Sequence, residues 1–264
     1  MKRDAHIHTP YCPHGSTDSL NRYIEKALSE KFTDITFTEH APLPTNFEDP
    51  TPDKDSGMNP SFLLAYFKEL KELQKYYEKD IRIRIGLEVD FIEGFEYETR
   101  SFLDEYGYFL DDAILSVHFL KWQNTYTCID FSPETFLTFA KQVGSVEQVY
   151  NLYYDTVLRS IDVDLGKYKP KRIGHPTLIH KFQLAHQQQI DDTYRISHVL
   201  EKMQQAGYEL DLNSAGLSKS YCQEPYPPFA MIDYAKQLKL PLVFGSDAHT
   251  VADLHQHYNR LFPV

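Results

Sequence analysis

The chain has 264 residues, is 42% hydrophobic and carries a formal net charge of −11, enough apolar material for one sizeable core. The acidic balance argues against wrapping nucleic acid, which needs a basic stripe, and no run approaches the ~18 apolar residues of a membrane span. Three scattered cysteines without a C-x-x-C pair argue against a disulfide framework or a thiolate zinc site, and with no signal-like N-terminus they suit a reducing cytoplasm.

In chain order, β-branched or aromatic runs at 4–8, 34–39, 81–90, 113–118, 172–175, 208–213 and 241–246 predict seven strands, each flanked by turn residues. Between them lie amphipathic patterns that predict helices: "DSLNRYIEKALSEK" with Ser19 or Asp18 as cap, "SFLLAYFKELKELQKYYEK", and "PPFAMIDYAKQLKL" with its proline pair in the first turn. Residues 133–163 predict two helices broken near Gly144. Strand–helix alternation implies parallel strands with crossover helices. The expected fold is α/β, a distorted parallel (β/α)7 barrel in which residues 1–264 form one domain.

Seven of the twelve histidines fall at or just past a predicted strand end: His6, His8, His14, His40, His118, His175 and His249. Glu88 and Asp247 join them at the same level. In a parallel barrel that rim is where catalytic groups collect, and i, i+2 spacing on a strand points His6 and His8 at one centre. Packing explains such a set poorly, because buried imidazoles need partners and neighbouring imidazolium charges repel. A multi-metal site accommodates all nine groups. Asp4 and Asp90 are expected to accept the other ring N–H of ligating histidines, and Cys12 is expected to stay outside the ligand set. His180, His186, His198, His255 and His257 are assigned to solvent or packing.

The segments "HIH", "PHG", "TEH", "GLE", "SVH", "GHP" and "GSDAH", in this order over nearly the whole chain, resemble the PHP family, the polymerase and histidinol phosphatase metallohydrolases. "HTPYCPHG", "FTEHAPLP", "EVDFIEGFE" and "LNSAGL" further resemble its stand-alone histidinol-phosphate phosphatases. The resemblance implies three divalent ions, zinc, iron or manganese. One takes His6, His8, Glu88 and Asp247, a second shares Glu88 and adds His118 and His175, and a third takes His14, His40 and His249. Glu88, Asp247 and His249 are then the candidate catalytic residues. The implied activity is hydrolysis of L-histidinol phosphate in histidine biosynthesis, by in-line attack of a metal-bridging hydroxide; another phosphoesterase activity of the family, on nucleotides or phosphotyrosine, is the alternative.

Rival chemistries fit less well. An aspartyl-nucleophile phosphatase needs a D-x-D-x-T strand end, which "ELDLNS" lacks, and an amidohydrolase-like site needs a bridging Lys, absent from "IRIRIGLEVD". A structural metal domain of the polymerase-associated type fits neither the acidic charge nor the intact donor set. For substrate contacts, Arg159 and Arg195 are candidates because a guanidinium fork suits phosphate, Glu39 for the substrate ammonium, and Asn213 at a strand end. Lys169, Lys171 and Arg172 form a basic cluster beside "GHP". The expected partner is a small phosphate monoester, with neither nucleic acid nor membrane; oligomeric state is not encoded in any motif. Direct attack without a phosphoenzyme predicts that a single turnover in oxygen-18 water labels phosphate once, with inversion at phosphorus; retention or a trapped phosphoaspartate overturns it.

Overall fold

The computed structural model describes residues 2–263. Nine strands form in chain order: β1 (Arg3–Ile7), β2 (Asp34–His40), β3 (Arg82–Asp90), β4 (Asp112–Ser116), β5 (Phe119–Trp122), β6 (Thr125–Cys128), β7 (Arg172–Ile173), β8 (Glu209–Asn213) and β9 (Leu242–Gly245). The helices are α1 (Leu20–Ser29), α2 (Leu63–Tyr76), α3 (Glu96–Tyr106), α4 (Pro133–Val143), α5 (Val146–Asp162), α6 (Gln183–His186), α7 (Thr193–Gln205), α8 (Phe229–Gln237) and α9 (Tyr258–Leu261). Seven strands pair in parallel in the order β1-β2-β3-β4-β7-β8-β9. The ring is nearly closed between its two edges by a parallel bridge of Ile7 with Ala248 and by the Asp247 N–H donating to the His6 carbonyl at 2.8 Å. The expected single-domain (β/α)7 barrel is the observed one. Among the described residues no helix is long and apolar enough to cross a membrane.

Period-2 alternation sorts the strand side chains. Ile83, Ile85, Leu87 and Val89 of β3 join the hydrophobic cluster beneath the helices, while Arg84 and Glu88 engage groups of other strands: Arg84 pairs with Asp34 at 3.0 Å and Glu88 with the rim histidines. The barrel interior is therefore polar, and the apolar mass lies between sheet and helices. Each helix contributes a stripe at helical spacing, such as Leu20, Tyr23, Ile24 and Ala27 of α1 or Leu63, Tyr66, Phe67 and Leu70 of α2. Gly144 ends α4 at φ 125°, in the left-handed region where a Cβ is strained, so the predicted break falls where expected. Ser19 is the residue before α1, but its hydroxyl makes no capping bond, and Pro227 and Pro228 precede α8 instead of entering its first turn.

The antiparallel hairpin β5–β6 lies outside the barrel and was not anticipated. Its two-residue turn uses Gln123, at φ 55°, and Asn124, a pair without the glycine that usually advertises such a turn.

His180 is buried, not solvated. Its Nδ1 meets Glu224 Oε1 at 2.6 Å and its Nε2 meets Asp192 Oδ2 at 2.7 Å, which ties α7 and the loop after β8 to the short 3-10 turn Leu178–Phe182. Burial opposes charge on this ring, but the hydrogen bonds it donates to Asp192 and Glu224 outweigh it and push the pKa up to about 9. Because the folded value exceeds the ordinary 6.5, the stabilisation is complete below about pH 6.5 and is lost as pH rises through 9. His180→Gln should therefore cost on the order of 3 kcal/mol at pH 6 and much less at pH 10, read as the wild-type-minus-variant difference in denaturant midpoint; a pH-independent difference would contradict the charged bracket.

Candidate metal centre

The strand ends deliver all nine predicted donors to one rim. His6 lies in β1, His8 just beyond it, His40 closes β2, Glu88 lies near the end of β3, and His118, His175, Asp247 and His249 follow β4, β7 and β9. His14 reaches the group from the loop after β1, with its Nε2 3.2 Å from His249 Nε2. Glu88 lies at the middle: its carboxylate oxygens stand 2.8 Å from His175 Nε2, 3.2 Å from His40 Nδ1, 3.4 Å from His6 Nε2, 3.5 Å from His8 Nε2 and 3.8 Å from His118 Nε2. Asp247 Oδ1 approaches His8 Nε2 at 3.1 Å and His6 Nε2 at 3.7 Å. Asp247 and His175 adopt φ 52° and 24°, strained for side-chain-bearing residues and of the kind held at functional sites.

A ring of oxygens fixes the imidazole tautomers. His6 donates from Nδ1 to Asp211 (2.9 Å), His8 to Glu39 (3.2 Å), His118 to Asp90 (2.7 Å), His14 to the Asp55 carbonyl (2.8 Å) and His249 to the Asp247 carbonyl (3.1 Å). In all five the Nε2 lone pair is left facing the centre. The Nε2 atoms of His6 and His8 and the Nδ1 atom of His40, all facing Glu88, are buried without a hydrogen-bond partner, and two facing lone pairs on His14 and His249 repel unless a cation lies between. These orphaned donors fit divalent metal ions, for which imidazole and carboxylate are suitable ligands. His6, His8 and Glu88 form one set of potential ligand atoms within 4.8 Å of one another, and Glu88, His118 and His175 another; His6, His175 and Asp247 form a third. The Cys12 thiol lies within the same distance of His8, His40 and His249. Burial first and then the Glu39 charge push its pKa far up, so it stays a thiol.

Burial and neighbouring charge pull the basicity of these groups in opposite directions. Burial opposes charge on His6 and His8, yet Asp211, Glu88 and Asp247 hold His6 well above its ordinary range, and Asp247 and Glu39 push His8 up to about 9. Glu88, despite burial, is held well below the carboxylate range by His6, His175 and His40. Burial, reinforced by charge on His8, pushes His40 and His249 well down.

The substrate-contact predictions fare differently. Arg159 pairs with Glu93 at 2.5 Å and Arg195 with Asp155 at 2.9 Å, both on the outer helical layer away from the rim cavity; a late-helix or early-helix arginine faced solvent, not the strand ends. Glu39 is fully buried and spends its oxygens on His8, on the N–H and hydroxyl of Thr9 and on the His40 N–H, so it orients ligands instead of meeting an ammonium. Asn213 is also buried, donating to Asp211 and Asp247 at 3.2 Å. Asp4 takes the ring of His255 at 2.8 Å and the His6 and Ser246 N–H groups, not a ligand ring. Asp211 holds His6 in its place, a role that "ELDLN" conceals because inward carboxylates on a strand have no signature. Of the basic cluster, Arg172 is buried inside the barrel against Asp112 at 2.9 Å, and Lys169 donates to the Ile161 and Val163 carbonyls.

A cavity of about 570 Å³ opens onto these donors, with Phe119, Phe131, Tyr226, Asp130, Lys181 and Lys219 in its wall. With this geometry in view, residues 4–215 match the PHP domain. The chain belongs to the PHP family. Over 260 residues, 98% of the chain and 97% of the relative, it is 49% identical to the histidinol-phosphatase of Bacillus subtilis. The structure of a candidate histidinol phosphatase from Listeria monocytogenes superposes with a TM-score of 0.92 at 38% identity, covering 98% of this chain and 99% of that one. A histidinol phosphate phosphatase from Lactococcus lactis, solved with zinc, L-histidinol and phosphate, shares the fold at 19% identity and a TM-score of 0.71, over 99% of this chain and 92% of that one.

Gly245 shows how tightly the PHP centre is packed: a Cβ there would stand 2.4 Å from Asp211 Oδ1 and 2.7 Å from His6 Cβ. Gly245→Ala should push the Asp211 carboxylate off His6 and lower metal affinity on the order of 10- to 100-fold, measured by competition with a chromophoric chelator; unchanged affinity would deny Asp211 its orienting role.

Proposed function

We propose that this chain is a metal-dependent histidinol-phosphatase that hydrolyses L-histidinol phosphate to L-histidinol and phosphate. The observation that carries the reading is near-full-length 49% identity to a histidinol-phosphatase, in a chain where all nine rim donors converge. His6, His8, Glu88 and Asp247 would hold one divalent ion, Glu88, His118 and His175 a second, and His14, His40 and His249 a third. Zinc, iron and manganese all suit this donor set. Ions bound there supply Lewis-acid activation of water at neutral pH and neutralise charge on the phosphoryl group.

The protein's own share is preorganisation. Ser116 donates to Glu88 Oε1 at 2.6 Å, which leaves the other carboxylate oxygen to face His6, His8 and His40. Asp211, Glu39 and Asp90 keep His6, His8 and His118 in the tautomer that presents Nε2. The cavity suits a small ester, and its aromatic wall offers faces for the substrate imidazole. With a net charge of −11, nucleic acid is not its partner, and three buried free cysteines suit the cytoplasm.

Two measurements test this. Phosphate release from L-histidinol phosphate by metal-replete protein should exceed that from a nucleoside monophosphate or phosphotyrosine by at least about 10² in kcat/KM, and chelation should abolish it. Glu88→Gln should lose on the order of 10³-fold or more in kcat together with bound metal. Chelator-sensitive hydrolysis without the preference would transfer the site to another phosphate ester, and near-normal turnover in Glu88→Gln would refute the metal assignment.

A further inference from the structure

Two charged residues in the cavity wall have no role in orienting the rim donors. Lys181, on the short turn after His175, places Nζ 2.9 Å from Asp130 Oδ2, and both residues line the cavity that holds the histidines. Asp130 follows the β5–β6 hairpin, which no barrel strand requires. An ammonium carries three N–H donors, and among the described residues Asp130 is the one hydrogen-bond acceptor that Lys181 finds. The other Asp130 oxygen accepts only the Cys128 S–H, at 3.2 Å, and a thiol is a weak donor. Both members of the pair thus keep capacity directed at the cavity. The pair lies near the rim: it lines the same cavity as His118, His175 and Asp247. Asp253, another carboxylate in the wall, is engaged by the Thr250 hydroxyl at 2.8 Å.

The substrate proposed above is itself an ion pair. Its phosphate ester oxygen and its ammonium are on adjacent carbons, so the two opposite charges are held at short range. A fixed cation beside a fixed anion matches it in antiparallel alignment. We propose that Lys181 and Asp130 form the subsite that selects phosphate esters of amino alcohols, with Lys181 Nζ donating to a phosphoryl oxygen and Asp130 accepting from the substrate ammonium. The assignment rests on the histidinol-phosphatase reading and adds to it the residues that tell an aminated ester from a plain one. Tyr226, 1% exposed, lines the same wall.

The test compares L-histidinol phosphate with 3-(imidazol-4-yl)propyl phosphate, which lacks only the amine, at equal metal content. In the wild type the aminated ester should be preferred. Asp130→Asn, nearly isosteric, should lose on the order of 30-fold in kcat/KM on the aminated ester and less than about 3-fold on the amine-free one. Lys181→Met should weaken both esters alike, mainly through KM, and Asp130→Glu should restore part of the preference. Equal losses on both esters in Asp130→Asn, or none on either, would overturn the subsite while leaving the phosphatase reading intact. A wild type with no preference for the aminated ester would likewise overturn the subsite alone, whereas the absence of chelator-sensitive phosphate release from L-histidinol phosphate would overturn both.

Discussion

A carboxylate buried in a protein interior must either take up a proton or find compensating charge. Glu88 is 1% exposed and has imidazole nitrogens of five histidines within 3.8 Å, so everything around it is arranged to keep it ionised. Five β-strands converge on that one group. The polar barrel interior follows from it: a lumen lined by leucine and valine would place the charge in an apolar medium, whereas here inward positions are given to Asp34, Arg84, Asp112 and Arg172 at one end and to the imidazoles at the other.

The outer carboxylates matter as much as the inner one. An imidazole has two nitrogens of nearly equal basicity, and which of them faces the centre is decided by what the other one touches. Asp211, Glu39 and Asp90 are all buried, each against one ring. Gly174 serves the same end: a Cβ there would lie 2.0 Å from Ser116 Oγ, the hydroxyl that holds Glu88.

Much of this was legible in the sequence, because buried parallel strands read as apolar runs and the rim is where polar residues interrupt them. The run predicted at 34–39 is β2 but for its last residue, His40. Most of the rim groups were legible for the same reason, standing at or just past the point where a run stops, whereas His14 reaches in from the loop after β1. What escaped has a physical reason as well. Arg159 and Arg195 were chosen for the chemistry of their side chains, but a helix on the outside of a barrel turns most of its circumference to solvent, and acids met them there: Glu93, in the turn before α3, and Asp155, on α5. Asp211 and Glu39 escaped because an acid on a buried strand looks alike whether it meets metal, ligand ring or substrate. The hairpin that carries Asp130 escaped because Gln123 and Asn124 give a weak turn signal.

The seam of the barrel has one more consequence. β1 and β9 share no regular ladder, only the Ile7–Ala248 bridge and a few flanking hydrogen bonds, and the rim donors lie on both sides of that gap, His6 and His8 at one lip and Asp247 and His249 at the other. An ion held from both lips, as proposed above, would be a clasp joining the first strand to the last, with nearly the whole chain as the loop it closes. Cross-linking a loop of that length restrains the unfolded chain by about 5 kcal/mol. Metal loading would then govern how long the ring stays shut as well as what it can hydrolyse.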